Sequence, residues 1–198
     1  MTEILLATGN LGKIQEIEFL LKPCHISTVS QATLNIKDAD ETGSTYVENA
    51  LSKAYHAAKF THLPVIADDS GLEVDYLEGA PGIYSARFAG SHATAKDNIK
   101  KLLHLMEGVT QRKARFCCVM VYCKNAKDTM PLIRYGIWEG MILNAPQGAE
   151  GFGYDPIFYV PDYQCSAAEL DVSLKNRISH RGQALTQIIS ALQWSCLP

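Results

Sequence analysis

An apolar run, Leu63-Pro64-Val65-Ile66-Ala67, leads straight into Asp68-Asp69-Ser70-Gly71, and this junction constrains the fold more tightly than any other stretch. The run has the length and composition of a buried strand. Two adjacent carboxylates at the end of such a strand are costly unless something cationic meets them. A divalent ion such as magnesium is one remedy, because hard ions prefer carboxylate oxygens and retain waters. Successive side chains on a strand point to opposite faces, so Asp68 and Asp69 cannot both aim at one ion without a bend. One of them is expected to bind metal or take a proton from water, and the other to brace a turn. The alternative is a plain Asp-Asp-Ser-Gly turn after a core strand.

Strands and helices interleave around that junction. Glu3-Ile4-Leu5-Leu6-Ala7-Thr8 reads as a first strand that turns at Gly9-Asn10 into a helix. Ile14, Ile17, Leu20 and Leu21 form the helix's apolar stripe, with Lys13 and Glu16 pointing elsewhere. A second strand is expected from His25 to Val29, then a polar loop from Asn35 to Ser44 carrying Asp38, Asp40 and Glu41. The helix predicted from Tyr46 to Phe60 turns Val47, Ala50, Leu51, Ala54 and Ala58 to one side. Asn49, Ser52, Lys53 and His56 take the other. Gly79-Ala80-Pro81-Gly82 is a turn, and Thr94 to Met106 a further helix. Arg115 to Cys123 is apolar on both faces, as a central strand is, and Leu132 to Ile142 is expected to pair with it. A helix from Arg181 to Trp194, striped by Leu185, Ile188, Ile189 and Leu192, closes the chain. The pattern predicts an α/β fold with a mixed sheet and flanking helices.

At 198 residues the chain suits one domain over residues 1–198, or two lobes sharing a sheet. A hydrophobic content of 47% with 20% charged residues is that of an ordinary globular protein. A net charge of −3 lacks the basic excess of a nucleic-acid binder. No stretch approaches the ~20 apolar residues of a membrane span, and Ile4 to Ala7 is too short for a signal-peptide core. A cytoplasmic protein is expected, with neither nucleic acid nor membrane as partner. Cys24, Cys117, Cys118, Cys123, Cys165 and Cys196 show no Cys-x-x-Cys spacing and read as reduced thiols rather than a zinc site or disulfide framework.

Several groups carry chemistry. Thr8-Gly9-Asn10-Leu11-Gly12-Lys13 joins the first strand to its helix. A helix start offers unpaired N–H groups and the positive end of its dipole, which suit a phosphate, and Lys13 adds charge. The competing reading is a Gly-Asn turn that caps the helix, with Lys13 in solvent. Lys53, Asp40 and Glu41 are commonplace surface residues unless the fold carries them to Asp69. In Gly151-Phe152-Gly153-Tyr154-Asp155-Pro156 the Phe152 ring can lie on a flat ligand while Asp155 accepts a hydrogen bond from its edge. The same loop also reads as a tight turn whose aromatics pack into the core. Ser179 is a candidate N-cap for the last helix. Arg181 in its first turn opposes the dipole, which hints at donation to a carbonyl oxygen or phosphate, with Lys175 just upstream. His180 is a weak metal-ligand candidate, having no second histidine nearby in sequence.

Taken in order, these segments resemble the inosine/xanthosine triphosphate pyrophosphatase family. The matching residues are Ala7-Thr8-Gly9-Asn10 with Lys13 and Glu16, Glu41-Thr42-Gly43, Glu48-Asn49-Ala50 with Lys53, and Ala67-Asp68-Asp69-Ser70-Gly71-Leu72. They continue with Gly79-Ala80-Pro81-Gly82-Ile83-Tyr84-Ser85-Ala86-Arg87, Gly151 to Phe158, and Ser179-His180-Arg181-Gly182. The resemblance implies an elongated mixed sheet in two lobes with a central cleft, a homodimer, and a magnesium-dependent hydrolase. Its reaction would convert ITP, dITP or XTP to monophosphate and pyrophosphate, keeping non-standard purines out of DNA and RNA. By the same resemblance Thr8, Gly9, Asn10, Leu11, Gly12, Lys13 and Lys53 would hold the phosphates. Asp69 would be proton acceptor and metal ligand, Glu41 or its neighbour Asp40 would complete the magnesium site, and Ser70 would contact substrate. Phe152 would stack on the base, with Gly153, Tyr154, Asp155, Lys175, His180 and Arg181 forming its pocket. Glu150 departs from the small residue usual before this loop.

Elementary chemistry agrees with these roles. A divalent ion neutralises polyphosphate and binds the attacking water while a carboxylate removes its proton. Donors such as Arg181 and His180 favour a purine with a 6-oxygen and leave adenine mispaired. Two alternatives remain: an aspartyl-phosphate phosphatase with Asp68 or Asp69 as nucleophile, and a nucleotide-binding module without catalysis.

Overall fold

The computed structural model describes residues 3–193; Trp194 and Cys196 lie outside them. Seven strands form one open sheet in the order β2-β1-β3-β4-β5-β6-β7. They are β1 (Glu3–Leu6), β2 (Ser27–Ser30), β3 (Val65–Val74), β4 (Lys113–Cys123), β5 (Leu132–Ile142), β6 (Phe158–Val160) and β7 (Cys165–Ser166). β1 pairs in parallel with both β2 and β3, whereas β6 is antiparallel to β5 and β7, so the sheet is mixed as expected. The helices are α1 (Leu11–Leu21), α2 (Tyr46–Ala58), α3 (Ala95–Leu105), α4 (Val172–Ile178) and α5 (His180–Ala191).

Two compact units share the three long strands. Among the described residues, the first gathers 3–69, Cys118–Gly136 and 180–193; the second holds Ser70–Cys117 and Ile137–Ser179. The first unit has a core on each face of its sheet, because alternate strand residues face opposite ways. Leu5, Val65, Ala67, Val119 and Val121 pack against Ala50, Ala54, Ala57 and Ala58 of α2. Ile4, Leu6, Ile66, Cys118 and Met120 pack against Ile17 and Leu21 of α1 and Ala184, Leu185 and Ile188 of α5. Burying each large aliphatic chain contributes about 1.5–3 kcal/mol. α2 starts on a capping box, in which Thr45 Oγ1 accepts from the Glu48 N–H at 3.2 Å and Glu48 Oε2 accepts from the Thr45 N–H at 3.2 Å. The second unit packs Leu72, Leu102, Met106, Phe116, Trp138, Tyr154 and Phe158 into a single core.

Two expectations need correction. β3 does not end at the carboxylates but runs through Asp68-Asp69-Ser70-Gly71 to Val74, so neither aspartate braces a turn there. Cys24 is disulfide-bonded, so the reduced-thiol expectation holds only for Cys117, Cys118, Cys123 and Cys165 among the described cysteines. No helix of the described residues is long and apolar enough to cross a membrane.

Candidate active site

In the order β2-β1-β3 the crossover from β1 to β2 and the one from β2 to β3 run in opposite senses, so α1 and α2 cover opposite faces. The carboxyl end of β1 is then a topological switch point, where open α/β sheets bind their ligands. β1 stops at Leu6, level with Ile66, while β3 continues past it into the two aspartates. Ala67 belongs to the core under α2 and Ile66 to the core under α1 and α5. The two-residue period therefore delivers Asp69 to the α2 face and Asp68 to the α1–α5 face. The expected divergence of the two carboxylates is what the sheet produces.

On the α2 face, Lys53 Nζ lies 2.8 Å from Asp69 Oδ1, 2.5 Å from Glu41 Oε1 and 3.4 Å from the Asp68 carbonyl oxygen. Asn49, four residues earlier on the same helix face, donates from Nδ2 to Asp69 Oδ2 at 3.4 Å. Burial raises the Asp69 pKa, and the Lys53 charge opposes that rise without cancelling it. For Lys53 burial acts downward, but the charge of Asp69 and the hydrogen bonds to Asp69 and Glu41 outweigh it and the pKa is raised. A buried carboxylate held partly against ionisation suits a proton acceptor.

On the opposite face Asp68 is fully buried, and its Oδ2 meets Lys13 Nζ at 2.9 Å and Arg181 Nε at 3.3 Å. Arg181 NH1 also pairs with Glu16 Oε2. Burial by itself would raise the Asp68 pKa, but the charges of Lys13 and Arg181 reverse that and hold it well below the carboxylate range. The Arg181 guanidinium is raised in turn: burial lowers it, and Asp68 and Glu16 more than compensate. Glu16 had a readable signal, since it lies three residues from Lys13 on one helix. Where α5 begins, the backbone of His180 lies so close to Gly136 that a Cβ there would overlap the His180 carbonyl oxygen.

The capping reading of the first loop holds, except that Lys13 is not in solvent but pairs with the buried Asp68. Asn10 caps α1, its Oδ1 accepting from the Lys13 N–H at 3.1 Å, and the Asn10 N–H donates to Thr8 Oγ1 at 3.2 Å. Gly9, Asn10 and Leu11 are exposed, and no acidic residue occupies the first turn. Asp38 is a neighbour that sequence reasoning missed. Gln31 Nε2 donates to it, and its carboxylate stands 3.6 Å from where a Gly9 Cβ would be.

The second unit holds its own cluster. Lys175 Nζ lies 2.7 Å from Asp155 Oδ2 and 5.2 Å from the centre of the Phe152 ring. Asp155 Oδ2 also accepts from the Phe152 N–H at 2.8 Å, which folds the loop back on itself, and Gly151 and Gly153 supply its positive φ values of 77° and 63°. Tyr154 enters the core and donates to the Ser85 carbonyl oxygen at 2.8 Å. Phe152 stays partly exposed, so of the loop's two aromatics only Tyr154 packs into the core. Ser70 opens the second unit's stretch of β3, Glu150 is exposed beside the loop, and Ser179 joins α4 to α5.

The donor set fits a hard divalent ion. Two carboxylate oxygens, from Glu41 and Asp69, converge on the single ammonium of Lys53. Magnesium is commonly held by one or two carboxylates, with waters and substrate phosphates completing its shell. The described residues contain no group of three or more acidic, histidine or cysteine side chains able to hold a metal by themselves. Asp40 is exposed, and among the described residues no ion pair joins it to this group.

Comparison with known proteins places these features in context. The sequence profile of the Ham1 family matches residues 4–191. The chain is 54% identical over 195 residues to a dITP/XTP pyrophosphatase of Vibrio cholerae, covering 98% of each. It is 53% identical over 195 residues to a dITP/XTP pyrophosphatase of Escherichia coli K12, covering 98% of this chain and 99% of that one. A HAM1 protein structure from Coxiella burnetii superposes with a TM-score of 0.90 at 49% identity, covering 98% of this chain and 100% of that one.

Proposed function

The chain belongs to the Ham1 family, and we propose that it hydrolyses dITP, ITP and XTP to the monophosphate and pyrophosphate. The observation that carries this reading is the meeting of Glu41 and Asp69 on Lys53, with Lys13 held from the neighbouring strand position. The names of relatives at about half identity over nearly the whole chain support the substrate class.

In this reading Glu41 and Asp69 would hold magnesium, which when bound would supply charge neutralisation on the polyphosphate and polarisation of the attacking water. Asp69 accepts the water's proton, a role its raised pKa favours. Oxygen adds at the α-phosphorus, the α–β anhydride breaks, and the electron pair leaves on pyrophosphate. Lys13, Lys53 and the Thr8–Gly12 loop hold the phosphates and offset the charge that builds on the leaving group. Ser70 contacts substrate, and Phe152 stacks on the base. Gly153, Tyr154, Asp155 and Lys175 shape the base pocket, supported by the Lys175–Asp155 pair that stiffens the loop. His180 and Arg181 join the pocket on the strength of the Ser179–Gly182 motif. The described contacts of Arg181 are to carboxylates. We take residues 1–198 as one catalytic domain of a cytoplasmic homodimer whose partner is free nucleotide, supported by the same resemblance.

The test is a rate comparison across dITP, ITP, XTP, GTP and ATP with and without magnesium, detecting pyrophosphate. Fast, metal-dependent pyrophosphate release from the first three is expected. Orthophosphate as primary product would favour the aspartyl-phosphate alternative, and nucleotide binding without turnover would favour the non-catalytic one.

A further inference from the structure

The motif Glu48-Asn49-Ala50 has no part in the chemistry above, yet it opens α2 beside the site. Asn49 is buried to 1% exposure, unusual for an uncharged polar residue. Its amide makes two contacts of opposite polarity. Oδ1 accepts from the Gly43 N–H at 2.9 Å, and Nδ2 donates to Asp69 Oδ2 at 3.4 Å. The orientation is forced, because a backbone N–H can only donate and so must face the oxygen. The nitrogen is left for the carboxylate.

Gly43 is two residues from Glu41, so the amide bridges the loop that carries one carboxylate and the strand that carries the other. The loop is pinned a second time: Glu48 Oε2 accepts from the Ser44 N–H at 2.7 Å and the Ser44 hydroxyl at 2.8 Å. The fit at Gly43 is close. A Cβ there would stand 2.7 Å from Asn49 Oδ1 and 2.7 Å from the Glu48 Cβ, both nearer than side chains tolerate.

We propose that Asn49 is a positioning residue that holds the Glu41 loop and the Asp69 carboxylate in register, so that the two together receive one divalent cation. The inference rests on the metal reading given under Proposed function. It assigns to an uncharged helix residue the alignment of two ligands from separate segments. Partners behind metal ligands affect affinity or activity by about 10–100-fold when removed.

Calorimetric titration of the nucleotide-free protein with Mn²⁺ tests this, alongside kcat and KM for dITP at saturating metal. Asn49→Leu keeps the branched shape of the side chain and removes both hydrogen bonds. Gly43→Ala removes none of the side chains around Asp69 but crowds Asn49 Oδ1 and the Glu41 loop apart, so it serves should Asn49→Leu not fold. Each folded variant is expected to bind Mn²⁺ about 10–100-fold more weakly, with KM for dITP within about threefold of the parent, a split that a general loss of packing does not produce. Folded Asn49→Leu or Gly43→Ala protein that binds Mn²⁺ as tightly as the parent overturns the proposal. Glu41→Gln and Asp69→Asn are the controls. Unchanged Mn²⁺ affinity in both would instead remove the metal reading itself, and the proposal with it.

Discussion

Lys53 reaches Asp69 from one face of the sheet, its ammonium 2.8 Å from a carboxylate oxygen on the strand that carries Asp68 to the other face. The pair sets the protonation state of the proposed base. Burial raises the Asp69 pKa and Lys53 pulls it back. Removing the ammonium in Lys53→Met takes away the largest opposition to burial, so the carboxylate loses its proton at higher pH. The acidic limb of the kcat/KM profile is expected to move upward relative to the parent; a limb that stays put or moves down would refute the coupling.

Asp69→Asn keeps the shape of the side chain and abolishes its basicity. Turnover of dITP is expected to fall by about 10²–10⁴-fold, the range for loss of a general base. A rate within tenfold of the parent would rule out the assigned role.

Arg181→Ala strips two buried carboxylates, Asp68 and Glu16, of a shared partner. Breaking a buried ion pair in this way costs about 3–5 kcal/mol. Urea denaturation at neutral pH is expected to show that loss. A change below about 1 kcal/mol, the range for exposed pairs, would mean the network is not sealed from water.

Gly136→Ala places a methyl group against a carbonyl oxygen of the α5 backbone, which cannot swing aside as a side chain would. Overpacking typically costs about 1–3 kcal/mol, and a backbone clash belongs at or above the upper end. Because α5 carries Arg181, weakened activity is expected to accompany the lower thermal midpoint. An unaltered midpoint would show that the helix start can shift freely.

Cys117 is partly buried, and burial is the main cause that pushes its thiol up to about 11. The reactive thiolate is scarce below that pH. Alkylation of the folded protein by iodoacetamide is expected to be slow at pH 8 and to accelerate toward pH 11, monitored at this residue by peptide mass. Rapid labelling at pH 8 would contradict the shift.

Much of the architecture could be read from apolar periodicity. β5 has the predicted bounds Leu132–Ile142, and α2, α3 and α5 lie where their stripes placed them. β6, β7 and α4 escaped notice because elements of 3, 2 and 7 residues are too short to show a period. β3 runs past its expected end although Asp68, Asp69, Ser70 and Gly71 are poor strand formers, because pairing with neighbours overrides that preference.

The chain's order of residues was enough to determine that Asp68 and Asp69 diverge, since a strand's side chains alternate whatever surrounds them. It also determined which segments bear charge. Only tertiary structure decided which cation each carboxylate meets. Lys53 and Glu41 come from a helix and a loop that the second crossover brings to β3, and Arg181 returns from far along the chain to face Asp68. Local sequence carries no record of such meetings, because they depend on which helix covers which face, and the order of strands in the sheet settles that.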